Sequence, residues 1–248
     1  MKKSLKYIFT VLAAASLLWS CGKDENPQNP DGPETPGKEE PVNPTPDQPE
    51  VKVWKIGDFY SKGFVSGVVI SVDEIGSHGM AVSLKEYECA WAYRYEEAMG
   101  SLPGSGAYNT SCVLGLKEWR EYYPAFEKAT EDNVGVLKNW FLPSMNELAL
   151  LYKAYTGHES NDTEGGTGSL DSIRTKAEHI SEAAQKDFLN KCLSDNGGAP
   201  ISDTVYWSSN EAGPSIAYAF DMASGKTVET PSELDKKHIY KVRALASF

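Results

Sequence analysis

Between positions 144 and 155 the apolar residues Leu148, Leu151, Tyr152 and Tyr155 recur at intervals of three and four, the period that places side chains on one face of an α-helix. Ser144 and Glu147 precede this run as a capping box: the serine accepts from the third helical N–H, and the glutamate reaches back to the serine's own N–H. A second stripe, Ala177, Ile180, Ala184 and Phe188, predicts a helix over 174–194, stopped by Asn196-Gly-Gly198. Elsewhere the pattern is that of strands. Positions 54–60 read as a first strand, and the β-branched run Gly67-Val-Val-Ile-Ser-Val72 as a second. Glu74-Ile-Gly-Ser-His-Gly79 is a turn, from which 80–84 return as a hairpin partner. Residues 204–209 and 216–222 predict two more strands, the latter followed by a turn at Ala223-Ser-Gly225. At the C-terminus Val242, Ala244, Ala246 and Phe248 alternate with Lys241, Arg243 and Ser247, the signature of a half-buried final strand.

Between these elements the pattern weakens. Gly100, Pro103, Gly104 and Gly106 make 85–112 mostly loop, with a short helix expected at 92–99. Residues 118–130 read as helical, with Pro124 interrupting the helix or beginning its second half. Residues 156–173 are the longest polar, glycine-rich stretch. The expected fold class is α+β, with short strands at both ends of the domain and helices between them.

The first fifty residues follow other rules. Lys2, Lys3 and Lys6 precede an apolar run at 7–18, too short for a bilayer, which takes about 20 apolar residues, and matched to a signal peptide. Leu18-Trp19-Ser20-Cys21 resembles a lipobox. That resemblance implies diacylation of Cys21 and cleavage before it; a processed lipoprotein carries at least two acyl chains, enough for stable anchoring. Lys23-Asp24-Glu25 resembles a signal for export to the outer leaflet. Residues 22–50 hold eight of the fourteen prolines, eight acids against two lysines, no aromatic residue and one large aliphatic, Val42. Such a segment buries too little apolar surface to offset ordering entropy; as an extended polyproline spacer it reaches roughly 90 Å. The expected organisation is a signal peptide at 1–20, a lipidated cysteine and acidic tether at 21–50, and one domain at 51–248.

The formal charge is -11 over the whole chain and -8 over 51–248. An acidic domain repels phosphate backbones, so nucleic acid is excluded as an expected partner. Cys89, Cys112 and Cys192 are odd in number, so they form at most one disulfide, and three buried thiols fit equally well.

Five pieces in one order carry a resemblance: Gly57-Asp-Phe-Tyr60 with Gly67-Val-Val-Ile70; Gly76-Ser-His-Gly79; Trp140-Phe-Leu-Pro-Ser144 with Glu147-Leu148; Tyr206-Trp-Ser-Ser209 with Glu211; and Val242-Arg243-Ala244. Together they resemble the C-type-lectin-like domains of bacterial surface proteins, in particular the Lcl C-terminal-like and major paralogous domain families. The resemblance implies that the first and last strands pair, that two helices flank the sheet, and that a long irregular region supplies any binding surface. Lcl-type domains adhere to sulfated or fucosylated polysaccharides. The wider fold includes formylglycine-generating enzymes, whose Leu-Pro-Thr turn is similar to Leu142-Pro143-Ser144, but fold likeness does not transfer function.

The chemistry narrows the roles further. The Glu-Pro-Asn or Gln-Pro-Asp triplet and the Trp-Asn-Asp of a calcium-dependent lectin are absent from the domain; Gln48-Pro49-Glu50 lies in the tether. Glu159, Asp162, Glu164 and Asp171, with Asn161, are oxygen donors that suit calcium, although their spacing is not that of an EF-hand and a solvated acidic loop is the plainer reading. No other cofactor is expected. His78, His158, His179 and His238 lack metal spacing, Gly165-Gly-Thr-Gly168 lacks the Lys-Ser/Thr of a phosphate loop, and a non-enzymatic role is expected. Beyond residue 20 the domain carries five Trp and twelve Tyr. Trp54, Trp140 and Trp207 sit among apolar residues and read as core. Trp91, Tyr93, Tyr95, Tyr108, Trp119 and Tyr122 lie in the irregular region and read as an exposed platform for sugar rings. The loops at 100–110, 156–173 and 210–216 complete the expected binding surface. Asp171-Ser172-Ile173 and Asp203-Thr204-Val205 resemble O-glycosylation sites of exported proteins. Two roles follow: a lipid-anchored surface protein that binds a polysaccharide or glycoconjugate, or a structural or accessory subunit of a surface assembly such as a pilus or glycan-uptake complex, with a protein partner.

Overall fold

A computed structural model describes residues 52–98, 104–134, 139–160 and 181–248. The chain divides at Asp47 into two units, and the description concerns the second. The lipobox-like sequence, residues 22–50 and the oxygen donors Asn161, Asp162, Glu164 and Asp171 lie outside the described residues, as do Ala177, Ile180 and the 171–173 sequence.

The fold is α+β. Eight strands form one mixed sheet: β1 (Phe59–Lys62), β2 (Val65–Val72), β3 (Gly79–Cys89), β4 (Trp140–Phe141), β5 (Val205–Glu211), β6 (Ala217–Asp221), β7 (Lys226–Thr227) and β8 (Tyr240–Ser247). Their order is β1-β2-β3-β8-β5-β6-β7, with β4 on β8. The C-terminal strand is therefore central. One edge of β8 runs antiparallel along β3; the other is shared between β4 at Leu245 and Ala246 and the parallel contact of β5 at Lys241. Central strands are covered on both faces, and this is legible in β2, whose Val68, Val69 and Ile70 alternate between two separate cores. On one face lie α1 (Gly106–Leu114), α2 (Trp119–Tyr122) and α3 (Pro124–Ala129), and on the other α4 (Met145–Thr156) and α5 (Glu182–Asp195). No helix among the described residues is long and apolar enough to cross a membrane.

Helix α4 forms as its sequence predicts. Ser144 Oγ accepts from Glu147 N, and Glu147 Oε2 accepts from Ser144 N at 2.7 Å, closing the capping box. Leu148, Leu151, Tyr152 and Tyr155 are its buried face. The same Glu147 oxygen accepts from Gly106 N at 2.9 Å, tying α1 to the turn before α4. Only glycine fits at 106: a Cβ there would lie 2.5 Å from both Glu147 Oε2 and Leu142 O. Burial pushes the Glu147 carboxyl up, against the hydrogen bonds it accepts from Ser144 N, Ser144 Oγ and Gly106 N.

Several expectations give way. The terminal strands do not pair, because β2 and β3 separate β1 from β8. The first and last described segments meet through rings instead: Phe248 stacks on Tyr60 with centroids 4.2 Å apart, and Trp54 closes on Tyr60 at 4.8 Å. Residues 54–58 are not strand; Trp54 N bonds Gly76 O, capping the turn opposite. No helix occupies 92–98, and 85–89 extend β3 instead of looping. In α5 the buried residues are Gln185, Leu189 and Leu193; Ala184 and Phe188 face outward, with the Phe188 ring against Gly57. The stripe is displaced by one position because the amide of Gln185 turns inward to bond Ala154 O, which a hydrophobicity pattern cannot register. Arg243, expected at the solvent face of β8, is buried, where its guanidinium meets Glu86 and Ala199 O. The thiols of Cys89, Cys112 and Cys192 are all free.

Candidate functional site

The aromatic region predicted as a platform is built in two layers. The lower layer begins at Trp91, which is 0% exposed. Its indole N–H donates to Ser208 O at 2.8 Å, and its ring meets Phe126 and Tyr123 edge-on at 4.9 and 5.9 Å. Trp91 is therefore not a ligand-facing residue. Its placement follows from β5: the Ser208 carbonyl offers the indole an acceptor inside the core, where an indole N–H needs one.

Beneath Trp91 sits Lys236, also 0% exposed, with its ammonium 4.6 Å from the indole ring. Its three donors are all used. They reach Glu96 O and Pro214 O, each at 2.9 Å, and the Glu211 carboxylate. Glu211 in turn accepts from Ala98 N at 2.8 and 2.9 Å. Burial pushes the Lys236 ammonium down, and the facing Glu211 carboxylate opposes that shift. Three acceptors around three donors suit the charged form. The Lys236 main chain completes the node, donating to Ser215 O and accepting from Ala92 N. Segments 91–98, 211–215 and 235–236 are thus fastened at one buried point.

The upper layer rides on this node. Tyr93 N donates to Tyr122 O at 2.8 Å, bringing the 93–95 segment beside α2. Tyr93, Tyr95 and Tyr108 are 56%, 46% and 52% exposed, while Trp119 and Tyr122 are half-buried. The Arg94 guanidinium lies 3.5 Å from the centre of the Tyr122 ring, Arg120 lies 4.5 Å from that of Trp119, and the Lys237 ammonium 4.0 Å from that of Tyr95. The Tyr95 hydroxyl donates to Asp235 at 2.8 Å, and hydrogen bonds from Lys237 N and Tyr95 outweigh burial to hold that carboxyl below its usual range. Glu118, between Lys117 and Trp119, has φ 57° and is the one non-glycine residue with positive φ among the described residues. Five of the six predicted residues (Tyr93, Tyr95, Tyr108, Trp119 and Tyr122) thus reach the surface or its margin, while Trp91 is buried.

The sequence reading missed Arg94, Lys236 and Glu211 as participants. Lys236 sits in the charged run Asp235-Lys236-Lys237, which reads as solvated, and its partners come from 22 to 140 residues away. Loop 210–216 does take part, through the node rather than the surface. Of the acidic candidates only Glu159 is described; it is exposed and pairs with Lys153. Among the described residues no group of three or more His, Cys, Asp or Glu is placed to hold a metal. His78 lies in the turn after β2, where Asp73 accepts from Ser77 N at 2.8 Å and meets His78 Nδ1 at 3.2 Å. Thr204 of the other modification sequence is half-buried.

Two shallow hollows lie elsewhere. One, of about 430 Å³, is lined by Val53, Trp54, Val72, Asp73, Glu74 and Gly76. The other, of about 360 Å³, includes Phe64, Leu84, Val134 and Trp140, with Phe64 and Val134 both exposed.

No protein-family model matches the chain, and no curated protein does. Among solved structures it is similar to a fimbrial protein from Bacteroides ovatus ATCC 8483, with a TM-score of 0.51 and 14% identity. The match covers 79% of this chain and 49% of the fimbrial protein, so the chain spans about half its length. At that identity the likeness is one of fold.

Proposed function

We propose that this chain is a non-catalytic surface lipoprotein, anchored to the outer membrane through Cys21 and exposed on the cell, whose domain binds a glycan in the manner of a C-type-lectin-like module. The observation that carries the reading is the two-layered aromatic face. Tyr93, Trp119 and Tyr122 are exposed or half-buried beside a base fixed by Trp91 and Lys236, and Tyr108 is exposed on α1. Sugar rings stack on aromatic faces, and a rigid base lowers the ordering cost of binding. Calcium is not needed for this face to act, since its contacts are aromatic and cationic.

A glycan array probed with the full chain tests this, with and without chelator. Binding to a defined glycan class that is lost in Tyr93→Ala and Tyr122→Ala supports the reading, provided near-ultraviolet circular dichroism shows an intact core. Loss on chelation brings Glu159, Asp162, Glu164 and Asp171 back as calcium ligands. Absence of any binding by the folded protein rejects the reading.

A second reading, a subunit or accessory component of a fimbria-like surface assembly, is favoured by a separate observation. Phe59 is exposed on the edge strand β1 and Phe64 in the turn that follows it, and exposed apolar surface at a sheet edge suits contact with another protein. The fold shared with a fimbrial protein agrees with it. Cross-linking on intact cells that yields a ladder through β1-edge positions would favour this role over a monomeric lectin.

A further inference from the structure

We infer that the aromatic face recognises a carboxylated sugar, with the Arg94 guanidinium, stacked on Tyr122, as the group that takes the carboxylate. This rests on the glycan-binding reading and names the ligand chemistry at the same face.

The chain has four arginines among 35 acids and 24 bases. Arg243 is buried in the core and Arg174 is outside the described residues. The remaining two, Arg94 and Arg120, both lie at this face, and both lie over aromatic rings. Stacking engages the flat side of a guanidinium and leaves its N–H edge pointing outward, in the planar fork that matches a carboxylate. That edge is engaged loosely, by the Tyr122 hydroxyl and by ion pairs with two carboxylates that an incoming carboxylate would displace. The carboxylates nearest to Arg94 are Glu96 at 3.6 Å and Glu118 at 4.0 Å, both beyond hydrogen-bond distance. Glu96 is engaged by the Tyr123 hydroxyl at 2.8 Å. Arg120 makes no ion pair among the described residues.

Geometry on either side points the same way. Glu118 occupies the left-handed region without being glycine, a conformation that persists only where the surroundings enforce it and that clusters at ligand sites. It sets the path by which Trp119, Arg120 and Tyr122 follow in α2. Tyr93, 56% exposed beside Arg94, supplies an uncovered ring for the sugar whose carboxylate the arginine holds.

Charge density selects among anions. The domain carries a net -8, so a densely sulfated polymer is repelled at long range. An isolated carboxylate pays little of that repulsion, and its planar pair of oxygens fits one guanidinium edge. The ligand class is therefore a glycan with isolated uronic or sialic acid residues.

The test measures binding of the full chain to matched pairs: 3′-sialyllactose against lactose, and an oligosaccharide carrying a single glucuronic acid against its methyl ester. A sulfated disaccharide is the third probe. The acid form of a pair is expected to bind about tenfold more tightly than its neutral partner. Arg94→Gln should remove that preference, and Arg94→Lys should recover only part of it, because a point charge lacks the fork. If acid and neutral forms bind equally, yet Tyr93→Ala abolishes both, the carboxylate inference is overturned and the glycan reading survives. If the sulfated probe binds most tightly, the inference is again overturned. If no glycan binds, both fall.

Discussion

Helix α4 and the Lys236 node fix neighbouring parts of the molecule by opposite means. The helix is held by groups three residues apart, Ser144 and Glu147, and by a stripe of period 3.6. The node is held by groups 22 to 140 residues apart, each satisfied only when three loops arrive together. A local device stabilises its own segment whatever the rest of the chain does. A distributed one stabilises nothing until the fold is complete, and then leaves a buried charge if one partner is lost.

That contrast can be tested by substitution, beginning with the largest effect. Lys236→Ala removes the ammonium that faces the buried Glu211 carboxylate, and should cost about 3–5 kcal/mol. Replacing both partners, Lys236→Met with Glu211→Leu, should recover most of that loss. Equilibrium urea unfolding of the three proteins decides it; equal midpoints for the single variant and the parent would show that the node carries no stability. Gly106→Ala stands between the two devices, since its Cβ would strike the carboxylate of the capping box and the Leu142 carbonyl. Overpacking there should cost about 1–3 kcal/mol, read by the same method. Ser144→Ala removes two purely local hydrogen bonds from the start of α4, one accepted from Glu147 N and one donated to Glu147 Oε2, and should cost about 0.5–2 kcal/mol. A loss larger than that of Lys236→Ala would invert the comparison. Tyr93→Ala, on the exposed layer, should change stability by about 0.5 kcal/mol or less while abolishing glycan binding, which isothermal titration measures directly.

The smallest effect concerns a local turn. At Asp73 burial would raise the carboxyl pKa, but hydrogen bonds from Ser77 and His78 outweigh it and bring the group from 3.8 to about 2. A depressed folded value means that the turn is stabilised above the ordinary carboxylate range and loses that contribution as pH falls from about 4 to 2. Carboxyl chemical shifts followed by NMR should place this midpoint near 2; a value near 3.8 would show that the turn does not hold its aspartate.

The same division sets what the sequence could disclose. The capping box, the face of α4, the hairpin at 74–79 and the apolar run of β2 are written in neighbouring residues, and each was legible. Topology was not: alternation along 242–248 marks a strand, but nothing in it says that the strand is central, so Arg243 read as solvent-facing. Aromatic content marked 91–122 without separating Trp91 from Tyr93. Two residues apart on an irregular segment, one meets a carbonyl in the core and the other solvent, and no period governs that choice. Arg94 was overlooked because its partner ring comes from α2, 28 residues on.

The ring clasp of Trp54, Tyr60 and Phe248 has a mechanical consequence. Any pull transmitted through the residues before Lys52 enters the domain at Trp54, whose ring also carries the Lys52 ammonium at 3.6 Å. From there it passes by aromatic contact to Phe248, whose backbone exchanges two hydrogen bonds with Gly79. Load is thus delivered to the central strand as well as to the short edge strand β1, which alone would peel one hydrogen bond at a time. A domain pulled from Lys52 against Phe248 would yield last where Trp54, Tyr60 and Phe248 are joined.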